Sequence, residues 1–231
     1  MPLPFLLLSQ SVGRDCVNKP NDVNAVHARL MAIGKIPCYP APGVLDDHIL
    51  KGIIAVQEHF MARPDGQISV AGRTHGFLSK WDIKPIDRGV ALPGRLKEAW
   101  DLVNPLLPAG SRCTSGYRSA DDQRRILHNF FLNTFRAEII AKYGQAAYDA
   151  AKTNLLANET KVLEMVRGVG QAIATPGRSA HQQGKAIDIG GPSSIDNKQV
   201  EIVRLVARAR PTLLSGKVLK ERNGCVHFEI I

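Results

Sequence analysis

Apolar residues recur at helical spacing three times in the first 80 residues. One stripe is Val23, Val26, Leu30 and Ile33, and a second is Ile49, Ile53, Val56 and Phe60. Asn21 or Asp22 can cap the first helix, Gly34 can end it, and Asp46-Asp47 precedes the second. A third, shorter helix is predicted from Gly72 or Arg73 to Leu78. Three small helices predict a unit of about 80 residues, near the lower limit for an independent core.

The remainder mixes helical periodicity with short alternating segments. Residues 80–92 contain proline and glycine and read as a linker, so we expect domains at 1–88 and 89–231. Helices are predicted at 94–106, at 121–174 with breaks near Gly144 and Asn158, and at 195–209. Extended segments are predicted at 111–117 and 185–189, with a hairpin formed by 217–220 and 225–231. Helices beside a small antiparallel sheet predict the α+β class.

Composition narrows the class of protein. The chain is 44% hydrophobic and 22% charged, which excludes a collagen-like or disordered protein. No apolar run approaches the roughly 20 residues of a membrane span, and the run at residues 4–8 is too short for a signal peptide. Only 6% of residues are aromatic and no long basic block occurs, so nucleic acid is not the expected partner.

The charge is unevenly divided. Residues 1–88 hold ten basic and eight acidic side chains (+2), and residues 89–231 hold twenty and thirteen (+7). Most of the positive field therefore belongs to the second part, which suits an anionic polymer. Four cysteines are too few for a disulfide scaffold, and buried reduced thiols are expected, although Cys16 and Cys38 could form a bridge in an oxidising compartment.

The segment from Ser179 to Asp188 contains an imidazole and a carboxylate on either side of a glycine. The turn at Gly184 can bring His181 and Asp188 onto one cation, and His227, central in the last strand, is the best third ligand. Two histidines and one aspartate make a catalytic type of zinc site, in which the fourth position takes water. Zinc lowers the pKa of bound water to about 7, so the predicted chemistry is hydrolysis.

The pattern S-x-H-x-x-G-x-A-x-D at 179–188, preceded by SGYRS at 115–119 and followed by Val226-His227, resembles the M15 (VanY-like) zinc D-alanyl-D-alanine peptidases. That family is grouped with lysostaphin-type enzymes and hedgehog domains. The resemblance covers about residues 90–231. It implies zinc ligation by His181, Asp188 and His227, and an Arg118 that faces the substrate's carbonyl or terminal carboxylate. We expect Ser119, Gln123 and Ser179 to contribute to substrate binding.

One position departs from the family. M15 peptidases commonly have an acidic general base three residues before the last zinc histidine, and here that residue is Gly224. Glu221, six residues before His227, is the candidate base, at the spacing that hedgehog domains show. A tight turn at Asn223-Gly224 would pair Glu221 with Val226 and turn it away, whereas a four-residue loop would let it lean over the metal. Glu229 is the reserve candidate.

Predictions also follow for the first domain and for the segment between the two motifs. The first domain resembles the three-helix peptidoglycan-binding module through Asp46-Asp47 leading into Ile53-x-x-Val56-Gln57-x-x-Phe60, and through the D-G-x-I turn at 65–68. The helical insert between Ser119 and Ser179 is long for the M15 family and could form one wall of the cleft. Its aromatic residues are expected mainly in its core. They are Phe130, Phe131, Phe135, Tyr143 and Tyr148.

The sequence thus predicts a zinc-dependent peptidoglycan peptidase that cuts at or near D-Ala in the stem peptide. The alternative is a peptidoglycan-binding protein on a peptidase scaffold that has lost hydrolysis. A helical DNA-binding module is a third, weaker hypothesis. Similar pairs of modules that lack a signal peptide occur in phage lysins and in injected toxins. We therefore expect release by lysis or delivery by a secretion system into a periplasm or cell wall, and in the toxin case an immunity protein as partner.

Overall fold

A computed structural model describes residues 6–222 and 224–231. The first part of the predicted apolar run at 4–8 lies outside the described residues, and so does Asn223 of the predicted turn. No helix in the described ranges is both long and apolar enough to cross a membrane. Helices and two antiparallel sheets confirm the α+β class.

The first 80 residues form the three predicted helices: α1 (Pro20–Ala32), α2 (Asp47–Gln57) and α3 (Arg73–Lys80). Two short strands, β1 (Val12–Gly13) and β2 (Gln67–Ile68), pair with each other. The predicted cap of α1 is wrong, because Lys19 occupies that position and Pro20 begins the helix, where its missing N–H costs nothing. The cap of α2 is Asp46, whose side chain accepts from the backbone N–H of Ile49.

Gln57, the glutamine of the module-like motif, is completely buried. Its amide nitrogen donates to Asp65 Oδ1, to Gln67 O and to Thr74 Oγ1, at 2.6, 2.8 and 3.2 Å. Its amide oxygen accepts from the backbone N–H of Gly66 at 2.8 Å. One side chain therefore joins α2, the turn at Asp65-Gly66 and α3, which gives this glutamine a structural role.

The second part contains α4 (Arg95–Val103) and α9 (Asp196–Ala209) against one face of a four-stranded antiparallel sheet. The strands are β3 (Arg112–Ser115), β4 (Ala186–Gly190), β5 (Leu214–Lys220) and β6 (Val226–Ile230), in the order β3-β4-β6-β5. Side chains alternate between the two faces of a strand. Ile187, Ile189 and Phe228 enter the core, and Asp188 and His227 therefore project from the opposite face.

The insert is a separate helical layer with its own core. It comprises α5 (Ala120–Asn129), a π-helical turn at Phe130–Thr134, α6 (Arg136–Tyr143), α7 (Gln145–Lys152) and α8 (Glu159–Gly168). Phe131, Phe135 and Tyr148 are buried, as predicted. Tyr143 is 36% exposed, so its prediction as a core residue is wrong, and Phe130 is only partly buried.

The segment predicted as a linker lies along β3. Backbone N–H groups of Asp87 and Cys113 donate to Cys113 O and Pro85 O, both at 2.9 Å, and the N–H of Tyr117 donates to Ala91 O at 2.8 Å. One apolar core also includes residues from both predicted domains. The division at residue 88 stays a prediction.

The cysteines are all free, and the possible Cys16–Cys38 bridge is not formed. Only Cys113 is buried, because its side chain belongs to the apolar core. Cys38 is exposed, and Cys16 and Cys225 are intermediate. The expectation of buried thiols is therefore wrong for three of the four.

Candidate active site

Two adjacent strands hold two of the three predicted metal ligands. Asp188 of β4 and His227 of β6 are direct cross-strand neighbours. His181 lies in the turn before β4, where the backbone N–H groups of Gly184 and Lys185 close back on His181 O and Ala180 O. Within the described chain these three residues form a group whose potential ligand atoms all lie within 4.8 Å of one another. All three are at least nine-tenths buried.

The three ligand atoms form a small triangle. Asp188 Oδ1 lies 3.1 Å from His181 Nε2 and 2.9 Å from His227 Nδ1, and the two ring nitrogens are 3.3 Å apart. Tetrahedral coordination with bonds of about 2.0–2.1 Å places ligand atoms about 3.3 Å apart. The triangle therefore has the size of one face of such a site.

The outer atoms of the same side chains are held by other partners. His181 Nδ1 lies 2.7 Å from Gly116 O, and because a carbonyl only accepts, Nδ1 carries the proton. His227 Nε2 similarly faces Glu229 Oε1 at 3.3 Å. Asp188 Oδ2 accepts from Arg118 Nη2 at 2.8 Å. When the outer nitrogens carry the protons, the two inner nitrogens and Asp188 Oδ1 are all free to act as ligands, which fits a cation among them.

The electrostatics favour positive charge in this cluster. Burial alone would raise the pKa of Asp188, but its contacts with His181 and His227 and the charge of Arg118 hold it well below its ordinary range. Burial alone would lower the pKa of His227, but Asp188 and, less strongly, Glu229 and Glu221 raise it above its ordinary value. The carboxylate therefore stays ionised, and a proton or a metal ion at the cluster is stabilised.

Arg118 lies in the cavity and is bound to the cluster. Besides Asp188, its Nη2 donates to Ser115 Oγ at 2.6 Å, and its Nη1 donates to Gln123 Oε1 at 3.2 Å. Gln123 is buried and also reaches Ala174 O through Nε2 at 3.4 Å. The guanidinium therefore orients the free side of Asp188, and Gln123 connects it to the insert.

The two predicted substrate serines have local structural partners. Ser119 caps α5 in a capping box with Asp122 and does not line the cavity. Ser179 lines the cavity and is buried, and its Oγ accepts from the backbone N–H of His181 at 3.2 Å. Ser119 thus positions the helix that carries Gln123, and Ser179 positions the ligand turn.

The β5–β6 loop brings Glu221 to the cavity. Val226 pairs with Lys220, and the backbone N–H of Glu221 donates to Cys225 O at 2.8 Å, so the two-residue turn that pairs Glu221 with Val226 does not form. Since Leu219 pairs with His227, the alternation puts Glu221 on the same face of the hairpin as His227. Glu221 lines the cavity that contains the histidine cluster.

Two contacts that support the site had no signal in the sequence. Arg222 donates through Nη1 to Val169 O, and its Nη2 lies 3.0 Å from Glu138 Oε2, so the loop is fastened to the insert. The carbonyl of Gly116, which orients His181, belongs to the SGYRS motif but has no side chain to indicate it. Both roles depend on contacts between residues more than 50 positions apart.

Glu229, the reserve base, lies beside the outer nitrogen of His227. Its Oε1 is also 2.6 Å from Lys217 Nζ. Burial would raise the pKa of Glu229, but Lys217 and His227 lower it below its ordinary value. This arrangement suits orientation of the His227 ring better than proton transfer on its inner side.

The cavity has a volume of about 740 Å³ and lies between the sheet and the insert. The sheet side supplies the cluster, Glu221 and Leu219. The insert side supplies a largely apolar wall with one cation. Its residues are Ile126, Phe130, Arg167, Gly170, Gln171, Ala172, Ile173 and Ala174.

Comparison with known families supports a peptidase. Residues 109–209 match the VanY family, D-alanyl-D-alanine carboxypeptidase. The VanY match runs from the approach to β3 to the end of α9, so it includes the SGYRS motif, His181 and Asp188. The hairpin with Glu221 and His227 follows the matched residues. No curated protein and no solved structure matches the chain significantly.

Proposed function

We propose that the protein is a zinc-dependent peptidase that removes terminal D-Ala from peptidoglycan stem peptides. The observation that carries this proposal is the triangle of His181 Nε2, Asp188 Oδ1 and His227 Nδ1, in which three potential ligand atoms converge beside an open cavity. The VanY match supports this substrate class. The donor set of two imidazoles and one carboxylate fits catalytic zinc.

Bound zinc would supply an acidified water and polarise the scissile carbonyl. Glu221 takes a proton from the attacking water and returns it to the leaving amine. The new bond joins the water oxygen to the carbonyl carbon, and the bond that breaks joins that carbon to the terminal D-Ala nitrogen. Arg118 fixes Asp188, and Glu229 and Gly116 fix the two imidazole rings.

The +7 second part of the chain suits an anionic wall polymer, because attraction raises the local substrate concentration. We also propose that α1 to α3 bind peptidoglycan and that the protein acts in a periplasm or cell wall after lysis or secretion-system delivery. An immunity protein bound over the cleft is the partner expected of a toxin. Toxicity to bacterial cells, compared between protein directed to the periplasm and protein kept out of it, tests this route. We expect lower toxicity for the protein that is kept out.

One observation favours the alternative of a binding protein without hydrolysis. Gly224 stands where the M15 pattern has an acidic base, and its positive φ of 84° is a conformation suited to glycine. If Glu221 does not replace the missing base, the site would hold metal and peptide without turnover.

Turnover of a purified stem pentapeptide with zinc present separates the two functions. We expect D-Ala release by the wild type, a fall in kcat of about 100-fold or more for Glu221→Gln, and unchanged zinc affinity in that variant. Glu229→Gln should instead weaken zinc binding by about 10-fold or more with a smaller loss of kcat at saturating zinc. Glu201→Gln, an exposed change on α9, is the charge-matched control.

Zinc binding by the wild type without D-Ala release would contradict the peptidase and support the binding protein. Equal kcat values for Glu221→Gln and Glu201→Gln would show that Glu221 is not the base.

A further inference from the structure

Three cationic side chains other than histidine line the cavity, and two are neutralised in place. Arg118 Nη2 lies 2.8 Å from Asp188 Oδ2, and Lys217 Nζ lies 2.6 Å from Glu229 Oε1. The third, Arg167, forms no ion pair with any described residue. A substrate entering the cavity therefore meets one uncompensated guanidinium.

Arg167 is held at the cavity by neutral partners. It is in the last turn of α8, and its Nε donates to Ile173 O at 2.9 Å. Its Nη2 donates to Thr175 Oγ1 at 3.4 Å. These bonds fasten the side chain to the segment that forms the insert wall, while Nη1 has no acceptor among the described residues. These bonds orient the guanidinium, and its Nη1 donors are left for a ligand.

The surroundings of Arg167 match the end of a peptide. A guanidinium binds a carboxylate through parallel N–H donors, with both charge and direction. The neighbouring wall of Ile126, Phe130 and Ile173 is apolar and can take small methyl side chains. One cation beside an apolar wall fits a terminal alanine with its free carboxylate.

We propose that Arg167 binds the C-terminal carboxylate of the substrate and makes the site selective for chain ends. This inference rests on the proposed peptidase function and deepens it, because it assigns the choice between a chain end and an internal bond to the insert. Arg167 is then a specificity-determining residue that contacts substrate but not the reacting bond. Peptides that continue past the cleavage point lack the group it recognises.

The test compares a stem pentapeptide that ends in D-Ala-D-Ala as the free acid with the same peptide as the C-terminal amide. For the wild type we expect a KM at least about tenfold lower for the acid. Arg167→Gln should raise KM for the acid by about that factor and leave the amide nearly unchanged. Lys161→Gln, an exposed change on the same helix, is the charge-matched control and should behave as wild type.

Two other variants separate charge from structure. Arg167→Lys keeps the charge and should retain part of the preference for the acid. Thr175→Val removes a partner of Arg167 without removing charge and should retain most of it. Equal preference for the acid in the wild type and in correctly folded Arg167→Gln would overturn the proposal.

Binding measurements keep this proposal distinct from the proposed function. Calorimetry with the same two peptides and Glu221→Gln protein, with or without Arg167→Gln, reports carboxylate recognition without turnover. If the wild type cleaves but neither calorimetry nor KM distinguishes the acid from the amide, the Arg167 proposal fails and the peptidase stands. If the wild type cleaves nothing but Arg167 governs binding of the acid, the peptidase fails and carboxylate recognition stands.

Discussion

Two buried histidine sites in this protein have opposite hydrogen-bond arrangements. His59, where α2 meets α4, donates from Nδ1 to Leu102 O at 2.8 Å and lies with Nε2 3.0 Å from Lys35 Nζ, an obligate donor. Each of its nitrogens has the complementary partner. In the cluster of His181, Asp188 and His227, two inner ring nitrogens instead converge on one carboxylate oxygen.

The comparison shows how a structural histidine differs from a ligand. Burial is similar, since His59 is 6% exposed and His181 is 4% exposed. The two sites differ in the charge of the neighbouring side chain. His59 lies beside the cation Lys35, whereas His181 and His227 converge on the carboxylate of Asp188. A metal ion suits only the second arrangement.

The largest expected effect comes from breaking the triangle of ligand atoms. Asp188→Asn should reduce zinc affinity by more than the roughly 10–100-fold typical of changes outside the ligand shell, because it replaces a charged ligand with a neutral amide. At about a thousand-fold excess over Kd, zinc should stabilise the wild type by about 4 kcal/mol, and it should stabilise Asp188→Asn far less. Chelator competition and zinc-dependent urea unfolding measure both. Asp149→Asn, an exposed change in α7, is the control, and equal zinc stabilisation of the two variants would refute the assignment.

The next largest expected effect is the loss of stability at acidic pH that is caused by His59. Burial, the largest cause, and the charge of Lys35 lower the pKa of His59 to about 4. The unfolded imidazole has a pKa of about 6.5, so between these values the unfolded chain binds the extra proton and stability falls as the pH falls. We expect this site to cost about 2 kcal/mol of unfolding free energy between about pH 7 and about pH 5.

His59→Gln should lack that part of the pH dependence while keeping zinc binding. Urea unfolding of the metal-free wild type and variant at both pH values measures the difference. Parallel pH profiles of the two proteins would contradict the assignment.

The smallest effect tests the loop that carries Glu221. Arg222→Gln removes the contacts with Val169 O and Glu138, so we expect kcat to fall about tenfold, which corresponds to about 1.4 kcal/mol, with zinc affinity unchanged. Glu138→Gln should produce part of the same loss. Steady-state kinetics at saturating zinc measure it. A loss of zinc affinity equal to the loss of kcat would mean that Arg222 supports the ligands instead.

Much of the fold follows from local sequence signals. Helical periodicity predicts α1, α2 and α9 closely, and Gly144 marks a helix break. The convergence of His181 and Asp188 follows from a short turn and a strand, because the residues are only seven positions apart. The approach of His227 depends on strand pairing, which the hairpin pattern and the family resemblance together anticipate.

The remaining features depend on contacts across the chain. Nothing local to Arg118 indicates that its guanidinium binds Asp188, or that Arg222 reaches Glu138. The sequence also does not predict the path of residues 85–91 along β3. Proline and glycine in this segment indicate a break in regular structure, but not where the segment packs.

That path changes what counts as a removable part of the protein. Exposed strand edges invite pairing with other chains, and residues 85–91 cover the outer edge of β3 with backbone hydrogen bonds. A shortened protein that begins at residue 89 would lose the partners supplied by Pro85 and Asp87 and leave Cys113 at a bare edge. A protein shortened for production or crystallisation should therefore keep Pro85 and the residues that follow it. Without them, the edge of the strand that leads to Arg118 would be exposed to pairing with other chains.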